Sequence, residues 1–113
     1  MTAPTATNLY NYKVVSFRVV DGDTIVATID MGFHTFRKDT FRLARIDAPQ
    51  IDKPEGIVSL MSLKAKLEGI DKVVTLWSKA KDKWGRWLAE VYVDGENVND
   101  WLVANGFAAR YEK

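Results

Sequence analysis

The order of strand and helix signals along this chain constrains its fold more than any other feature of the sequence. Three β-rich segments come first, an amphipathic helix follows, and two more β-rich segments precede a short last helix. The predicted strands are residues 12–20, 24–29, 33–46, 72–77 and 86–93, and the predicted helices are residues 55–68 and 98–105. Three strands, a helix and two strands is the order that a five-stranded Greek-key barrel requires. We therefore predict an α+β, mainly β, fold with two helices.

Both helices are bounded by ordinary start and stop signals. In the first helix the apolar side chains share one broad face of a helical wheel, and they are Ile57, Leu60, Met61, Leu63 and Leu67. Gly69 is a suitable stop for that helix. Asn97 is a suitable cap for the second helix, and Gly106 ends it. The third strand is the least regular, because Lys38 and Asp39 predict a break within it.

Length and composition limit what this chain can do. Its 113 residues suffice for one domain, which we expect to span residues 10–113 behind a flexible polar tail at residues 1–9. The sequence contains no Cys and one His, so disulfides, Cys nucleophiles and thiolate metal sites are excluded. The formal net charge is only +1, whereas proteins that hold nucleic acid by bulk attraction are far more basic. Any contact with nucleic acid must therefore rest on a local site.

The sequence also carries expectations about location and assembly. No stretch approaches the roughly 20 apolar residues of a membrane span, so no membrane partner is expected. The polar start lacks the basic and apolar regions of a secretory signal, which predicts a cytoplasmic protein as the chain is given. Secretion after processing stays open, because a signal removed beforehand would leave no trace in this sequence. We expect a monomer.

Charged residues cluster at the predicted strand ends. Asp21 and Asp23 flank a Gly at the first turn, and Asp47 ends the third strand, so a barrel can bring these carboxylates together. Such carboxylates repel one another unless a cation neutralises them, and hard cations prefer oxygen ligands. Arg42 and Arg86 lie beside these turns, and guanidinium groups match phosphate oxygens. Each element alone has an ordinary explanation, because Asp-Gly-Asp suits any turn and a strand Arg often forms a surface ion pair.

Taken together, these segments resemble the thermonuclease, or staphylococcal-nuclease-like, family. They are Val-Val-Asp-Gly-Asp-Thr at 19–24, Phe-Arg-Leu-Ala-Arg-Ile-Asp-Ala-Pro at 41–49, Lys-Trp-Gly-Arg-Trp-Leu-Ala at 83–89, and a late Asp-Gly turn and helix at 94–106. The match covers residues 15–109, nearly the whole chain. It implies an OB-fold-like barrel that lacks the further C-terminal helix of larger family members. The implied activity is Ca²⁺-dependent hydrolysis of DNA and RNA with little sequence preference, and single strands are the preferred partner.

The resemblance implies a calcium site between the first turn and the end of the third strand. Asp23 and Asp47 would ligate Ca²⁺ through carboxylate oxygens, and the backbone carbonyl of Ala48 would add a third ligand. Asp21 would hold waters around the ion. Thr24 would support the metal loop by hydrogen bonding.

The resemblance also implies how a substrate is held. Arg42 and Arg86 would grip the attacked phosphate and stabilise the negative charge that develops on it. Trp84 would stack against a base, and Tyr111 is a second candidate for that contact. Lys83 would add a mild electrostatic attraction toward the site.

The position after Asp-Ala-Pro departs from the family pattern. The family has Glu there as the general base that activates water, and this chain has Gln50. An amide positions a water but does not accept its proton near neutral pH. Losing a general base typically costs about 10²–10⁴-fold in rate. Asp52 and Glu55 follow closely and are candidates to replace it, although Glu55 equally suits the first turn of a helix.

Three functions therefore stay open from the sequence. The first is a metal-dependent nuclease, weakened by Gln50. The second is a module that binds single-stranded nucleic acid or nucleotides without useful turnover, and the third is a protein-interaction barrel. The residues assigned to metal and phosphate favour the first two functions, and Gln50 separates those two from each other.

Overall fold

The computed structural model describes residues 9–111, so the predicted tail lies outside the described residues except for Leu9. The strands are β1 (Asn11–Asp21), β2 (Thr24–Asp30), β3 (Phe36–Leu43), β4 (Ile46–Asp47), β5 (Val74–Lys81), β6 (Trp87–Val93), β7 (Glu96–Asn97) and β8 (Ala109–Arg110). The helices in this range are α1 (Pro54–Leu67) and α2 (Val98–Ala104). Neither helix is long and apolar enough to cross a membrane.

Five of these strands close into a barrel, as the order of the sequence signals predicts. β1, β2 and β3 form an antiparallel meander, and β5 pairs with both β1 and β6. The barrel closes because β6 lies parallel to β3, with Phe41 opposite Trp87 and Arg42 opposite Leu88. The five-stranded, mainly β barrel with two helices is thereby confirmed.

The barrel interior is filled by side chains that alternate with outward-facing ones along the strands. The largest fully buried apolar residues are Ile25, Leu43, Ile46, Leu63, Leu67, Leu76, Val91, Val98 and Leu102. Asn99 is buried among them, and its amide donates to the carbonyls of Ala44 and Ala89 at 2.9 and 3.0 Å. Asn97 caps α2 as predicted, through its side chain. These two polar residues fix α2 against the corner where β3 ends.

The third strand differs from its prediction. Lys38 and Asp39 do not interrupt it, because both pair with β2 in a continuous register, so the predicted break was wrong. The interruption comes after Leu43, at Ala44-Arg45, where Arg45 adopts a φ of +67° and turns the chain into β4. β5 likewise continues to Lys81, across a bulge, and so extends beyond its predicted end at residue 77.

Helix α1 buries only part of the predicted face, namely Leu63 and Leu67, together with small residues that the prediction did not include. Its buried residues are Gly56, Ser59, Leu63 and Leu67. Ile57 and Met61, which the helical wheel placed on the buried face, are exposed. A Cβ added to Gly22 would lie 2.6 Å from the Cβ of Ser59, so the β1–β2 turn and α1 touch through small residues. The small residues therefore decide which side of α1 faces the barrel, because they permit a close approach that larger side chains would block.

Candidate active site

One cavity of about 430 Å³ collects most of the residues that the sequence singled out. The turn between β1 and β2, the end of β3 with the segment after it, and the turn between β5 and β6 all contribute to it. The predicted site residues in its lining are Asp21, Asp23, Arg42, Asp47, Ala48, Gln50, Trp84, Arg86 and Tyr111. Thr24 and Lys83 are outside the lining, but each contacts a residue that belongs to it.

Asp23 is a buried residue of this cavity, at 6% exposure. Its Oδ2 accepts the Ala48 N–H at 2.8 Å, and its Oδ1 accepts the Thr24 hydroxyl at 3.0 Å. Burial raises the pKa of Asp23 to about 6, and a hydrogen bond with the Asp21 carboxyl adds to the rise. The Ala48 N–H and the Arg42 guanidinium act in the opposite direction but do not cancel it. Asp23 is therefore a buried carboxylate whose negative charge is incompletely balanced.

Arg42 lies between two of the predicted metal ligands. Its Nη2 is 3.4 Å from Asp23 Oδ2 and 3.2 Å from Asp47 Oδ1, and its Nη1 donates to the Leu43 carbonyl at 2.6 Å. The Arg42 side chain is mostly buried, whereas that of Asp47 is 61% exposed. The guanidinium thus occupies the space between a buried and an exposed carboxylate at the mouth of the cavity.

The donor chemistry of this cavity fits a hard cation. Asp21, Asp23 and Asp47 supply carboxylate oxygens, and the lining contains no sulfur or imidazole donor. Within residues 9–111, however, no three Asp, Glu or His side chains already converge as a metal cage. A cation bound here would compete with Arg42 for Asp23 and Asp47.

The turn between β5 and β6 presents the second arginine. Asp82 accepts the backbone N–H and the Nε–H of Arg86, at 2.9 and 2.8 Å, and the Trp84 N–H at 2.9 Å. Burial alone would raise the pKa of Asp82, but these hydrogen bonds outweigh it and hold the pKa below its usual value. Trp84 is 66% exposed, with the Arg86 guanidinium 5.4 Å and the Lys83 ammonium 4.5 Å from its ring. The turn therefore offers a flat aromatic face beside an oriented guanidinium.

Gln50 lies in the lining of the cavity and is exposed. A Cβ on Gly56 would come within 1.8 Å of the Gln50 carbonyl oxygen, so only glycine lets the start of α1 pack against this backbone. Asp52 and Glu55, the candidates for replacing the missing carboxylate, are not among the residues that line the cavity. Among Gln50, Asp52 and Glu55, only Gln50 therefore lines the cavity.

Sequence reasoning missed two residues that shape the site. Asp82 is one, and its position four residues before Arg86 in a Gly-containing turn was a usable signal. Arg45 is the other, because its backbone carbonyl accepts the Tyr111 N–H at 2.8 Å and so holds Tyr111 at the cavity. No local signal identified Arg45, since its ion-pair partners Glu90 and Asp100 are distant in sequence.

Known proteins are similar to this chain in sequence. Residues 40–113 match the family described as Staphylococcal nuclease homologue. An uncharacterized endonuclease of Escherichia coli O157:H7 is 37% identical over 97 residues, which cover 85% of this chain and 59% of that protein. Endonuclease YncB of Bacillus subtilis (strain 168) is 35% identical over 98 residues, covering 80% of this chain and 44% of that protein.

A third relative is the SPbeta prophage-derived endonuclease YokF of Bacillus subtilis (strain 168). It is 37% identical over 98 residues, which cover 80% of this chain and 31% of that protein. The chain thus spans less than two thirds of the length of each of these relatives.

Proposed function

This chain belongs to the family of staphylococcal nuclease homologues, and from that membership we propose that its cavity hydrolyses phosphodiester bonds of nucleic acid. The observation that carries the proposal is the meeting of Arg42 and Arg86 with the carboxylates of Asp21, Asp23 and Asp47 in one cavity. Two guanidinium groups suit a phosphodiester, whose charge increases as the attacking oxygen adds to phosphorus. The names of the relatives, which include three endonucleases, agree with this reaction class.

The two arginines are preorganised to different degrees. Arg86 is oriented by Asp82 before any substrate arrives, so it needs little rearrangement to meet a phosphate oxygen. Arg42 instead shares its Nη2 between two carboxylates, and a phosphate must compete with them for it. We assign Arg86 to holding the phosphate and steadying the leaving oxygen, and Arg42 to gripping the phosphate from the metal side.

Ca²⁺ is the cation that we propose for the carboxylates. Asp23, Asp47 and the carbonyl of Ala48 would hold it, Asp21 would orient its waters, and Thr24 would keep the Asp23 carboxylate in place. When bound, the ion supplies positive charge for the transition state and lowers the pKa of a coordinated water. The incomplete balance of charge at Asp23 supports this assignment, because an added cation would relieve it.

Single-stranded nucleic acid is the substrate that we propose. Trp84 exposes most of its ring beside Arg86, and a base that is not paired in a duplex stacks there without a sequence requirement. Lys83, 4.5 Å from the same ring, adds positive charge toward the approaching phosphates. Tyr111 also lines the cavity and is a second surface for stacking.

Gln50 favours a second candidate function, which is binding of single-stranded nucleic acid with little turnover. An amide orients a water through a hydrogen bond but cannot take up its proton at neutral pH. The two functions are separated by Gln50→Glu, which restores a carboxylate at that position. In a nuclease that already turns over, this change raises the rate modestly, whereas in a binding module it switches cleavage on.

The test is digestion of end-labelled single-stranded DNA in millimolar Ca²⁺ and in chelator. We expect cleavage only with Ca²⁺, and a loss of about 10²–10³-fold in Arg86→Ala. Arg18→Ala is the matched control, because Arg18 is an exposed strand arginine outside the cavity, and it should cleave like the unaltered protein. Intact DNA with the unaltered protein, or cleavage that survives in Arg86→Ala, would refute the proposed reaction at this site.

A further inference from the structure

A second, smaller cavity lies at the end of the barrel where β1, β3 and β6 begin. It measures about 80 Å³, and its lining includes Phe41, Met31, Arg37 and Trp87. Phe41 is buried at its floor, whereas Met31 and Arg37 are exposed at its mouth. The cavity is therefore an apolar recess that opens to solvent beside a cation.

Two cationic side chains lie beside the ring of Trp87. The Arg37 guanidinium lies 5.4 Å and the Lys81 ammonium 4.9 Å from its ring, and its indole N–H donates to Asp39 at 2.9 Å. Asp39 pairs with Arg37 at 3.1 Å. Lys81 forms no salt bridge with any carboxylate in the described part of the chain, so one cation beside the indole stays unmatched.

This recess and the candidate active site are separated by a single residue along two strands. On β3, Phe41 lines the recess and Arg42 lines the active-site cavity, and on β6 the neighbours Trp87 and Leu88 divide in the same way. Adjacent side chains of a strand point to opposite faces, so the two cavities lie on the two sides of the β3–β6 pairing. The exposed Trp84 lines the active-site cavity from the turn that leads into β6, three residues before Trp87.

We propose that the recess is a second contact for the single strand of nucleic acid whose scissile phosphate lies between Arg42 and Arg86. Arg37 and Lys81 bind phosphates of that strand, and the edge of a base contacts Trp87 at the mouth of the recess. Alternating cations and aromatic rings are what a single strand needs, because phosphates and bases alternate along it. A volume of about 80 Å³ is less than that of three waters, at about 30 Å³ each, so the recess admits the edge of a base and not a whole base.

This inference rests on the proposed function for the position of the strand, and its test does not depend on cleavage. We would measure binding of a labelled oligothymidylate by fluorescence anisotropy in chelator, with an oligomer of about 16 nucleotides, the largest site size of one such barrel. Arg37→Gln combined with Lys81→Gln should weaken binding about tenfold. The slope of log affinity against log salt should fall by about 1.4, because each phosphate contact on a single strand contributes about 0.7.

Lys38→Gln is the matched control. Lys38 follows Arg37 on β3 and points to the other face of the strand. Its variant removes one positive charge of the same strand and should bind as the unaltered protein does. Lys81→Glu is the second variant, because it leaves the pair between Arg37 and Asp39 intact and should still weaken binding. Thermal unfolding of each variant shows that the comparison is made on folded protein.

The outcomes separate the two proposals. Equal affinities and equal salt slopes for the unaltered protein, Lys38→Gln and both recess variants would overturn the second contact, whatever the cleavage assay shows. If the unaltered protein cleaves nothing in Ca²⁺ and the recess variants still lose binding, the proposed reaction fails and the second contact stands. A matching loss of affinity in Lys38→Gln would also overturn it, since the effect would then follow net charge and not position.

Discussion

Arg42 and Arg45 lie three residues apart, and the structure matches their charges in very different ways. Arg42 shares a single nitrogen between Asp23 and Asp47, at 3.4 and 3.2 Å. Arg45 presents Nε and Nη2 to both oxygens of Glu90, at 2.9 and 2.6 Å, in a two-pronged pair. The first arrangement leaves each partner partly satisfied, whereas the second satisfies the geometry of both groups.

The titration behaviour of the two clusters follows from this difference. The hydrogen bonds with Glu90 raise the pKa of Arg45, so the pair stabilises the charged forms that the fold contains. Burial raises the pKa of Asp23 to about 6 although Arg42 is close, so the folded state there disfavours the charge. One cluster lowers the free energy of the folded chain, and the other retains a cost that a bound cation would relieve. The pair at Arg45 is therefore explained by stability, and the arrangement at Arg42 by the binding that we propose for the cavity.

The largest expected effect concerns activity. Arg42→Ala should lower the rate of DNA cleavage by about 10²–10³-fold, because a guanidinium that meets the developing charge is lost. Arg45→Ala should leave the rate per folded molecule within a few-fold, since its side chain faces Glu90 and not the substrate. Single-turnover cleavage well below the unfolding temperature measures both. Equal losses in the two variants would show that the contrast between the clusters is not functional.

The next effect is an increase in stability when the unfavourable charge is removed. Asp23→Asn in chelator should raise the free energy of unfolding at neutral pH by at most about 3 kcal/mol, because the pKa rises from 3.8 to about 6 on folding. Added Ca²⁺ should stabilise the unaltered protein and not this variant. Urea unfolding with and without Ca²⁺ gives both numbers. A variant less stable than the unaltered protein in chelator would contradict the assignment of strain to this charge.

The pH dependence of this difference has a fixed sign. Since the folded pKa of Asp23 lies above the unfolded one, the folded state binds the proton more tightly. Its contribution to stability is complete below about pH 4 and is lost as the pH rises to about 6. The gain from Asp23→Asn should therefore be absent at the acidic end of this range and complete above it. A gain that stays constant across the range would have another cause than this carboxylate.

The contrast between the clusters also shows how far sequence reasoning reaches. The barrel was predictable because the signals for it are local. Alternation of apolar and polar residues indicates each strand, and Asp or Gly indicates each turn. The convergence of the residues around Arg42 in one cavity was predictable because they stand in short contiguous segments. The continuity of β3 through Lys38 and Asp39 was not predictable, because it depends on pairing with β2, which no local pattern reveals.

The parts that escaped prediction are set by distant contacts. The buried face of α1 is chosen by the close approach of Ser59 to Gly22, which a helical wheel does not represent. The pair between Arg45 and Glu90 joins a corner of the barrel to β6, far along the chain. Arg45 adopts a left-handed backbone at this corner, and the surrounding sequence contains no pattern that distinguishes it from a surface arginine.

A smaller effect is expected from the cluster that stabilises the fold. Arg45→Met keeps the aliphatic stem but leaves Glu90, whose side chain is only 16% exposed, with the Asn97 amide and without a cationic partner. We expect a loss of about 2 kcal/mol, less than for a fully buried pair because Arg45 itself is 38% exposed. Urea unfolding measures it, and Arg18→Met is the control for removing an exposed strand arginine. A loss no greater than that of the control would mean that the pair contributes no more than a surface contact.

The smallest effect distinguishes the two acids that surround Arg45. Asp100 lies 3.0 Å from the guanidinium but is 53% exposed, so water competes for its charge. Asp100→Asn should therefore cost under about 1 kcal/mol, whereas Glu90→Gln should cost about as much as Arg45→Met, because both changes dissolve the two-pronged pair. Combining Arg45→Met with each acid variant tests this directly. If Glu90→Gln adds nothing to Arg45→Met while Asp100→Asn is nearly neutral in either background, burial and geometry decide the strength of these contacts. If the two acid variants cost the same, distance alone sets the interaction, and the comparison with Arg42 loses its physical basis.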